Sequence, residues 1–123
     1  TFMAKHNELG KNGEVEAVRY LESKGYKILE QNWRLRSYEI DIIAEDENYV
    51  VFVEVKTRAT DQYGDPSDFV NKARMRRMVN AAHYYLLMSD VDKEWRFDIV
   101  GLIWDDKSFE LEHIEDAFLP DIS

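Results

Sequence analysis

The sequence contains no cysteine, which excludes disulfides and cysteine-based zinc sites. It has no apolar run approaching the roughly 18–20 residues that span a membrane, so no membrane partner is expected. The opening Thr1-Phe2-Met3-Ala4-Lys5 lacks the apolar segment of a secretory signal, and a cytoplasmic location is expected. Thr1-Phe2 ahead of Met3 reads as an expression remnant, with Met3 as the native start. Internal repeats, low-complexity stretches and linkers are also lacking. A chain of 123 residues therefore suits a single domain, with residues 1–6 expected to be flexible and residues 115–123 to dock as a tail. Nor is there an excess of positive charge. A formal net charge of −9 argues against broad non-specific DNA affinity, which rests on many Lys and Arg contacts to phosphate. An acidic protein can still carry a local basic groove, and a carboxylate-lined metal site itself adds negative charge.

What the chain does have is concentrated between Tyr38 and Arg58. Tyr38-Glu39-Ile40-Asp41-Ile42-Ile43-Ala44 and Tyr49-Val50-Val51-Phe52-Val53-Glu54-Val55-Lys56-Thr57-Arg58 are rich in β-branched residues. A short acidic, Asn-containing turn separates them, which predicts a β-hairpin. Side chains alternate along a strand, so Val51, Val53 and Val55 share one face and Phe52, Glu54 and Lys56 the other. A turn symmetric about Asp46-Glu47 sets Asp41 opposite Phe52 and Glu39 opposite Glu54. Asp41, Glu39, Glu54 and Lys56 then share a surface, with Asp41 and Glu54 as diagonal neighbours about 7–8 Å apart at the backbone. Like charges facing one another on a hairpin repel. The cluster thus calls for a divalent cation, a neutralising salt-bridge network, or exposure on the polar side of an amphipathic hairpin.

The flanking segments complete the pattern. A first helix is predicted from Asn7 to Lys24, with Glu14, Ala17, Val18 and Leu21 on one inward face and Gly25 as its stop. A charge at the edge of that face needs an explanation: favour from the helix dipole, an ion pair, or coordination. Tyr26 to Arg36 reads as the first strand, with Arg34 and Arg36 on one face and Trp33 in the core. The loop Ala59 to Ser67, with Gly64 and Pro66, follows the Glu54-Val55-Lys56 strand and is expected to border any site there. Tyr63 within it could stack on a base. Ser67 or Asp68 is expected to cap a second helix running to Met88, with Met75, Met78, Val79, Ala82, Tyr85 and Leu86 buried. Lys72, Arg74, Arg76 and Arg77 lie close together on that helix, which suits either phosphate contact or a solvated flank. His83 is expected at the surface. Trp95 to Trp104 and Phe109 to Ile114 read as two more strands, with Arg96 and Asp98 placed to pair across one residue. Ala117, Phe118 and Leu119 are expected to dock apolar surface.

Asp41 followed by Glu54-Val55-Lys56 resembles the metal site of the PD-(D/E)XK nuclease superfamily. Five segments in order resemble the YraN family of small bacterial, nuclease-like proteins. They are Gly10-x-x-Gly13-Glu14-x-x-Ala17, Asn32-Trp33-Arg34, Glu39-Ile40-Asp41-Ile42-Ile43-Ala44, Phe52-Val53-Glu54-Val55-Lys56-Thr57-Arg58 and Arg96-Phe97-Asp98. One departure is Tyr38, where that family usually has Gly before Glu-Ile-Asp. The element order of helix, three strands, helix, two strands fits an α/β sandwich with a mixed central sheet. The resemblance implies the restriction-endonuclease-like version of it. It further implies Mg²⁺ or Mn²⁺ held by Asp41, Glu54 and the Val55 carbonyl, with Lys56 handling the attacking water. Glu14 would assist the metal or a bound water, with Glu39 behind them. DNA is expected ahead of RNA as partner, with Arg34, Arg58, Lys72, Arg74 and Arg76 as candidate contacts. Nuclease folds that cut two strands often dimerise, so a homodimer is compatible. The expected activity is metal-dependent hydrolysis of DNA phosphodiesters, with branched or damaged DNA among the candidate substrates. The alternatives are a non-catalytic nucleic-acid- or partner-binding module on the same fold, and an unrelated protein whose carboxylates form salt bridges.

Overall fold

The structure is a computed structural model that describes residues 2–59, 71–105 and 107–117, with side chains from residue 13 onward. Its elements are α1 (Phe2–Ser23), β1 (Lys27–Leu35), β2 (Tyr38–Glu45), β3 (Tyr49–Ala59), α2 (Lys72–Ser89), β4 (Glu94–Trp104) and β5 (Phe109–Ile114). The five strands form one mixed sheet in sequential order. β3 and β4 are parallel, and the other neighbours are antiparallel. A parallel pair needs a crossover, which α2 supplies.

Each helix covers one face of the sheet. Ala17 and Leu21 of α1 pack with Ile42, Ala44, Val51, Val53, Val100 and Leu102. Met75, Met78, Val79, Ala81, Ala82 and Tyr85 of α2 pack with Ile40, Ile43, Val50, Phe52 and Phe97. The alternation expected for β3 holds, with Val51 and Val53 facing α1 and Phe52 facing α2. The result is an α/β three-layer sandwich.

The termini of the elements follow from local chemistry. α1 ends in a Schellman turn: Gly25 adopts φ +93°, Gly25 N donates to Glu22 O at 3.1 Å and Tyr26 N to Leu21 O at 3.0 Å. α1 begins at Phe2, earlier than the Asn7 expected. α2 is capped by Asn71, whose side chain accepts from Arg74 N at 3.1 Å, and not by Ser67 or Asp68. Ser67, Asp68, Tyr63, Phe118 and Leu119 lie outside the described residues. Arg36 is not on β1. It occupies the turn into β2 with a left-handed φ of 58°, so it does not share a strand face with Arg34.

The hairpin register also differs from expectation. Asp46 Oδ1 accepts from Asn48 N and Tyr49 N at 2.9 and 2.8 Å, and Asp46 N donates to Tyr49 O. This side-chain-held turn puts Ile43 opposite Phe52 and Ile42 opposite Val53. The register moves by two residues, so the alternation of faces survives from Ile42 to Glu45. Phe52 therefore pairs with Ile43 and not with Asp41, which lies just beyond the last paired residue, Ile42.

Arg96 and Asp98 pair as expected, within a larger network. Arg96 Nε donates to Asp98 Oδ1 at 2.9 Å and Arg96 Nη2 to Oδ2 at 3.2 Å. His113 Nε2 lies 2.6 Å from Asp98 Oδ2, and Asp116 N donates to Oδ1 at 3.0 Å. Tyr20 OH bonds His113 Nδ1 at 3.0 Å, while Tyr26 OH bonds Arg96. This network ties α1, β4 and β5 together. Among the described residues, no helix is long and apolar enough to cross a membrane.

Candidate active site

β2 and β3 stop pairing through their backbones after Ile42 and Val53. The Asp41 side chain takes over there, with Oδ2 accepting from Val55 N at 2.8 Å. This hydrogen bond fixes Asp41 beside the Glu54-Val55-Lys56 run. Ile40 and Ile42 belong to cores on opposite faces, although they are two residues apart. Regular strand alternation is therefore broken at Asp41. The missing partner explains why: Trp33 pairs with Ile40 and Gln31 with Ile42, but the intervening Asn32 adopts a left-handed φ of 51°. Asparagine tolerates that conformation better than most residues. The break leaves Asp41 within reach of charges from both helices, Glu14 on α1 and Arg74 on α2.

Asp41 is 7% exposed and Glu54 5%. Burial, and next the Glu54 charge, push Asp41 up to about 7, against the opposing pull of the Val55 N–H and Arg74. Glu54 is compensated differently. Its Oε1 receives Arg74 Nε at 2.7 Å and stands 3.4 Å from Lys56 Nζ. Burial lowers the Arg74 pKa, but its hydrogen bond and ion pair with Glu54, aided by Asp41 and Glu39, more than reverse that. The site is thus a buried pair of carboxylates, one driven toward protonation and the other held by two cations.

Glu14 is half-buried on the inward face of α1, as its spacing predicts, and Oε2 accepts from Asn32 Nδ2 at 3.3 Å. Glu39 sits farther out. It is paired with Arg34 at 3.5 Å and lines a cavity of about 490 Å³ with Ser37, Arg74 and Arg77. Arg58 is half-buried on β3, while Lys72 and Arg76 are exposed on α2. The structure therefore brings Asp41, Glu54, Val55, Lys56, Arg74 and Glu14 into one neighbourhood and leaves Lys72 and Arg76 at the surface. Two contributors carried little sequence signal. Asn32 belongs to the Asn32-Trp33-Arg34 segment, but nothing local marks its left-handed backbone or its bond to Glu14. Arg74 belongs to the visible basic cluster, but nothing local marks Glu54 as its partner.

Among the described residues, no three His, Cys, Asp or Glu side chains come together as a ready metal cage. A two-carboxylate set is nonetheless the donor type Mg²⁺ takes, since that ion keeps several waters and uses one or two carboxylates. The buried, mutually repelling Asp41–Glu54 pair fits such an ion.

Comparison with known proteins covers this same stretch. The model for Uncharacterised protein family UPF0102 matches residues 13–102, which include Glu14, Asn32, Asp41, Glu54, Lys56 and Arg74. A UPF0102 protein from Flavobacterium psychrophilum is 50% identical over 116 residues, covering 94% of this chain and 98% of the relative. One from Phocaeicola vulgatus is 45% identical over 120 residues, covering 98% and 99%. One from Bacteroides thetaiotaomicron is 45% identical over 118 residues, covering 96% and 98%. The chain belongs to the UPF0102 family, the YraN family whose five motifs its sequence resembles.

Proposed function

We propose that this protein is a metal-dependent nuclease that hydrolyses DNA phosphodiester bonds. The observation that carries the reading is the buried Asp41–Glu54 pair at the point where β2 and β3 part, with Lys56 Nζ 3.4 Å from Glu54. Asp41 and Glu54, with the Val55 carbonyl, would hold Mg²⁺ or Mn²⁺. The bound ion would supply polarisation of a phosphoryl oxygen and a more acidic water. Asp41 is oriented for this by the Val55 N–H, and burial excludes competing water from its carboxylate. Lys56 is a third exposed, so it can reach both Glu54 and an incoming water, orient that water and offset negative charge in the transition state. Glu14, anchored by Asn32, adds negative potential from the α1 side.

Calorimetric titration of Mn²⁺ into wild type, Asp41→Asn and Glu54→Gln, with DNA cleavage assayed on the same samples, tests this reading. Saturable binding and cleavage in wild type, both lost in the variants, is the expected result. No metal binding in wild type, even with DNA present, overturns it. One observation favours a second reading, a non-catalytic nucleic-acid-binding module: Arg74 and Lys56 already neutralise Glu54. DNA binding without cleavage of duplex, single-stranded or branched substrates in Mg²⁺ or Mn²⁺ would select it.

A further inference from the structure

Arg74 faces two ways. Its Nε is bonded to Glu54 Oε1, yet the side chain is 42% exposed and lines the 490 Å³ cavity with Arg77, Ser37 and Glu39. Arg77 is exposed and has no ion-pair partner among the described residues. Among the described residues that line the cavity, the one carboxylate, Glu39, is already paired with Arg34. Two guanidinium groups and a hydroxyl against one compensated carboxylate suit a phosphodiester, because guanidinium forks match phosphate oxygens bidentately. Arg74 links the cavity to Glu54, since it lines the one and bonds the other.

We propose that this cavity is a phosphate subsite and that Arg74 exchanges between Glu54 and a nucleic-acid phosphate bound there, so that binding the strand frees Glu54 for the divalent cation. The metal half rests on the nuclease reading above. Without a strand, Arg74 is the counter-charge that a buried carboxylate needs. A phosphate in the cavity offers the guanidinium an alternative partner. Glu54 and Asp41 are then left with one fewer cation, a deficit that a divalent ion fills. Linkage makes the effect reciprocal: whatever factor the phosphate adds to cation affinity, the cation adds to phosphate affinity. The device would weaken metal binding at the centre until a strand is in place.

The test is calorimetry of Mn²⁺ binding to the full chain, alone and with a saturating phosphorothioate thymidine tetranucleotide. Wild type, Arg74→Gln and Arg77→Gln are compared. In wild type the tetranucleotide should tighten Mn²⁺ binding at least 5-fold, within the roughly 5- to 150-fold range of coupled sites. Arg74→Gln should bind Mn²⁺ more tightly than wild type without the tetranucleotide and gain little from adding it. Arg77→Gln should bind the tetranucleotide more weakly but Mn²⁺ alone as wild type does, which controls for the loss of one positive charge. Arg74→Met, which keeps the aliphatic stem, serves if the Gln variant does not fold. Equal Mn²⁺ affinities in the Arg74 and Arg77 variants, or no effect of the tetranucleotide on wild type, overturn the exchange. If Mn²⁺ binding is lost in Asp41→Asn but indifferent to Arg74, the exchange falls and the nuclease reading stands. If wild type binds no Mn²⁺ under either condition, both fall, whether or not the tetranucleotide binds through Arg77.

Discussion

Gly13 of α1 lies so close to Thr57 of β3 that a Cβ at Gly13 would stand 2.1 Å from Thr57 Cγ2. This contact sets how deeply α1 seats on the sheet, and so where the adjacent Glu14 sits. Gly13→Ala gains about 1 kcal/mol in helix propensity but meets a β-branched side chain, and overpacking of this kind costs about 1–3 kcal/mol. The clash should win, lowering the melting temperature. Thr57→Ser removes Cγ2 and leaves only Thr57 Cβ at 3.4 Å and Leu102 Cδ1 at 3.8 Å, which are ordinary contacts. Adding Gly13→Ala to Thr57→Ser should therefore be neutral or stabilising. A double-mutant cycle from urea melts measures this, and additive effects would disprove the contact.

Under the proposed function, Asp41 carries a conflict between stability and metal binding. Its folded pKa of about 7 lies above the ordinary 3.8, so the folded state holds a proton that the unfolded state has lost between those values. Stability without metal should consequently decline as pH rises from about 4 to about 7 and then level off. Asp41→Asn keeps an oxygen for the Val55 N–H but removes the charge. It should stabilise the metal-free protein by about 2–4 kcal/mol at pH 8 and by clearly less at pH 5, while abolishing metal binding. Urea denaturation at the two pH values decides it. A stabilisation that does not change with pH contradicts the assignment.

Much of this site is legible in the sequence because it rests on short-range periodicity. Glu54 and Lys56 alternate with valines on a strand, and Glu14 falls on the helical face shared with Ala17 and Leu21, so their directions follow from spacing alone. The register between Asp41 and Glu54 is less legible because it depends on how the Asp46 side chain folds the turn. A shift of two residues keeps the faces of the paired residues Ile42 to Glu45 but changes their neighbours, and the pairing ends before Asp41. The left-handed backbone of Asn32 is hidden more deeply, since it falls inside β1 without any glycine to announce it. The Arg74–Glu54 and His113–Asp98 contacts join separate elements, and only the assembled sheet and helices bring them together.

Asn32 contributes a left-handed backbone to β1 and a side-chain amide that bonds Glu14. Asn32→Gly keeps the left-handed backbone accessible but drops the 3.3 Å bond to Glu14. Asn32→Ala loses both, and a left-handed alanine costs about 1–2 kcal/mol. Alanine should thus be the more destabilising replacement by about that amount, with both variants showing the same change in metal affinity. Thermal melts and metal titrations on the pair separate the two contributions. Equal stabilities would mean that the turn at Asn32 carries no conformational demand.

Asp98 should behave oppositely to Asp41. Burial pushes its pKa up, but hydrogen bonds from His113, Arg96 and the Asp116 N–H outweigh it and hold the carboxyl below its usual range. Its contribution is therefore present above the unfolded value near 3.8 and is lost as pH falls through the lower folded value. Asp98→Asn leaves Arg96, only 12% exposed, without its buried partner. It should cost about 3–5 kcal/mol at pH 7, and much less near pH 2. Guanidinium melts across that range measure it, and a cost that persists undiminished in acid argues against an ionised Asp98.

Under the proposed nuclease function, Lys56 should separate catalysis from metal binding. It is one of two cations on Glu54, and Arg74 holds the shorter contact, 2.7 Å against 3.4 Å. Removing Lys56 therefore leaves Glu54 partnered and the carboxylate pair in place. Lys56→Ala should lower turnover by about 10²–10⁴-fold, the usual range for a positioned proton-transfer group, with Mn²⁺ affinity changed only a few-fold. If Lys56 merely balanced charge, Lys56→Arg would restore turnover. If it handles the attacking water, arginine fails, because its guanidinium does not give up a proton near neutral pH. Single-turnover cleavage alongside calorimetry reads both quantities on the same samples. Turnover unchanged in Lys56→Ala removes Lys56 from the chemistry and leaves Asp41 and Glu54 as the whole of the centre.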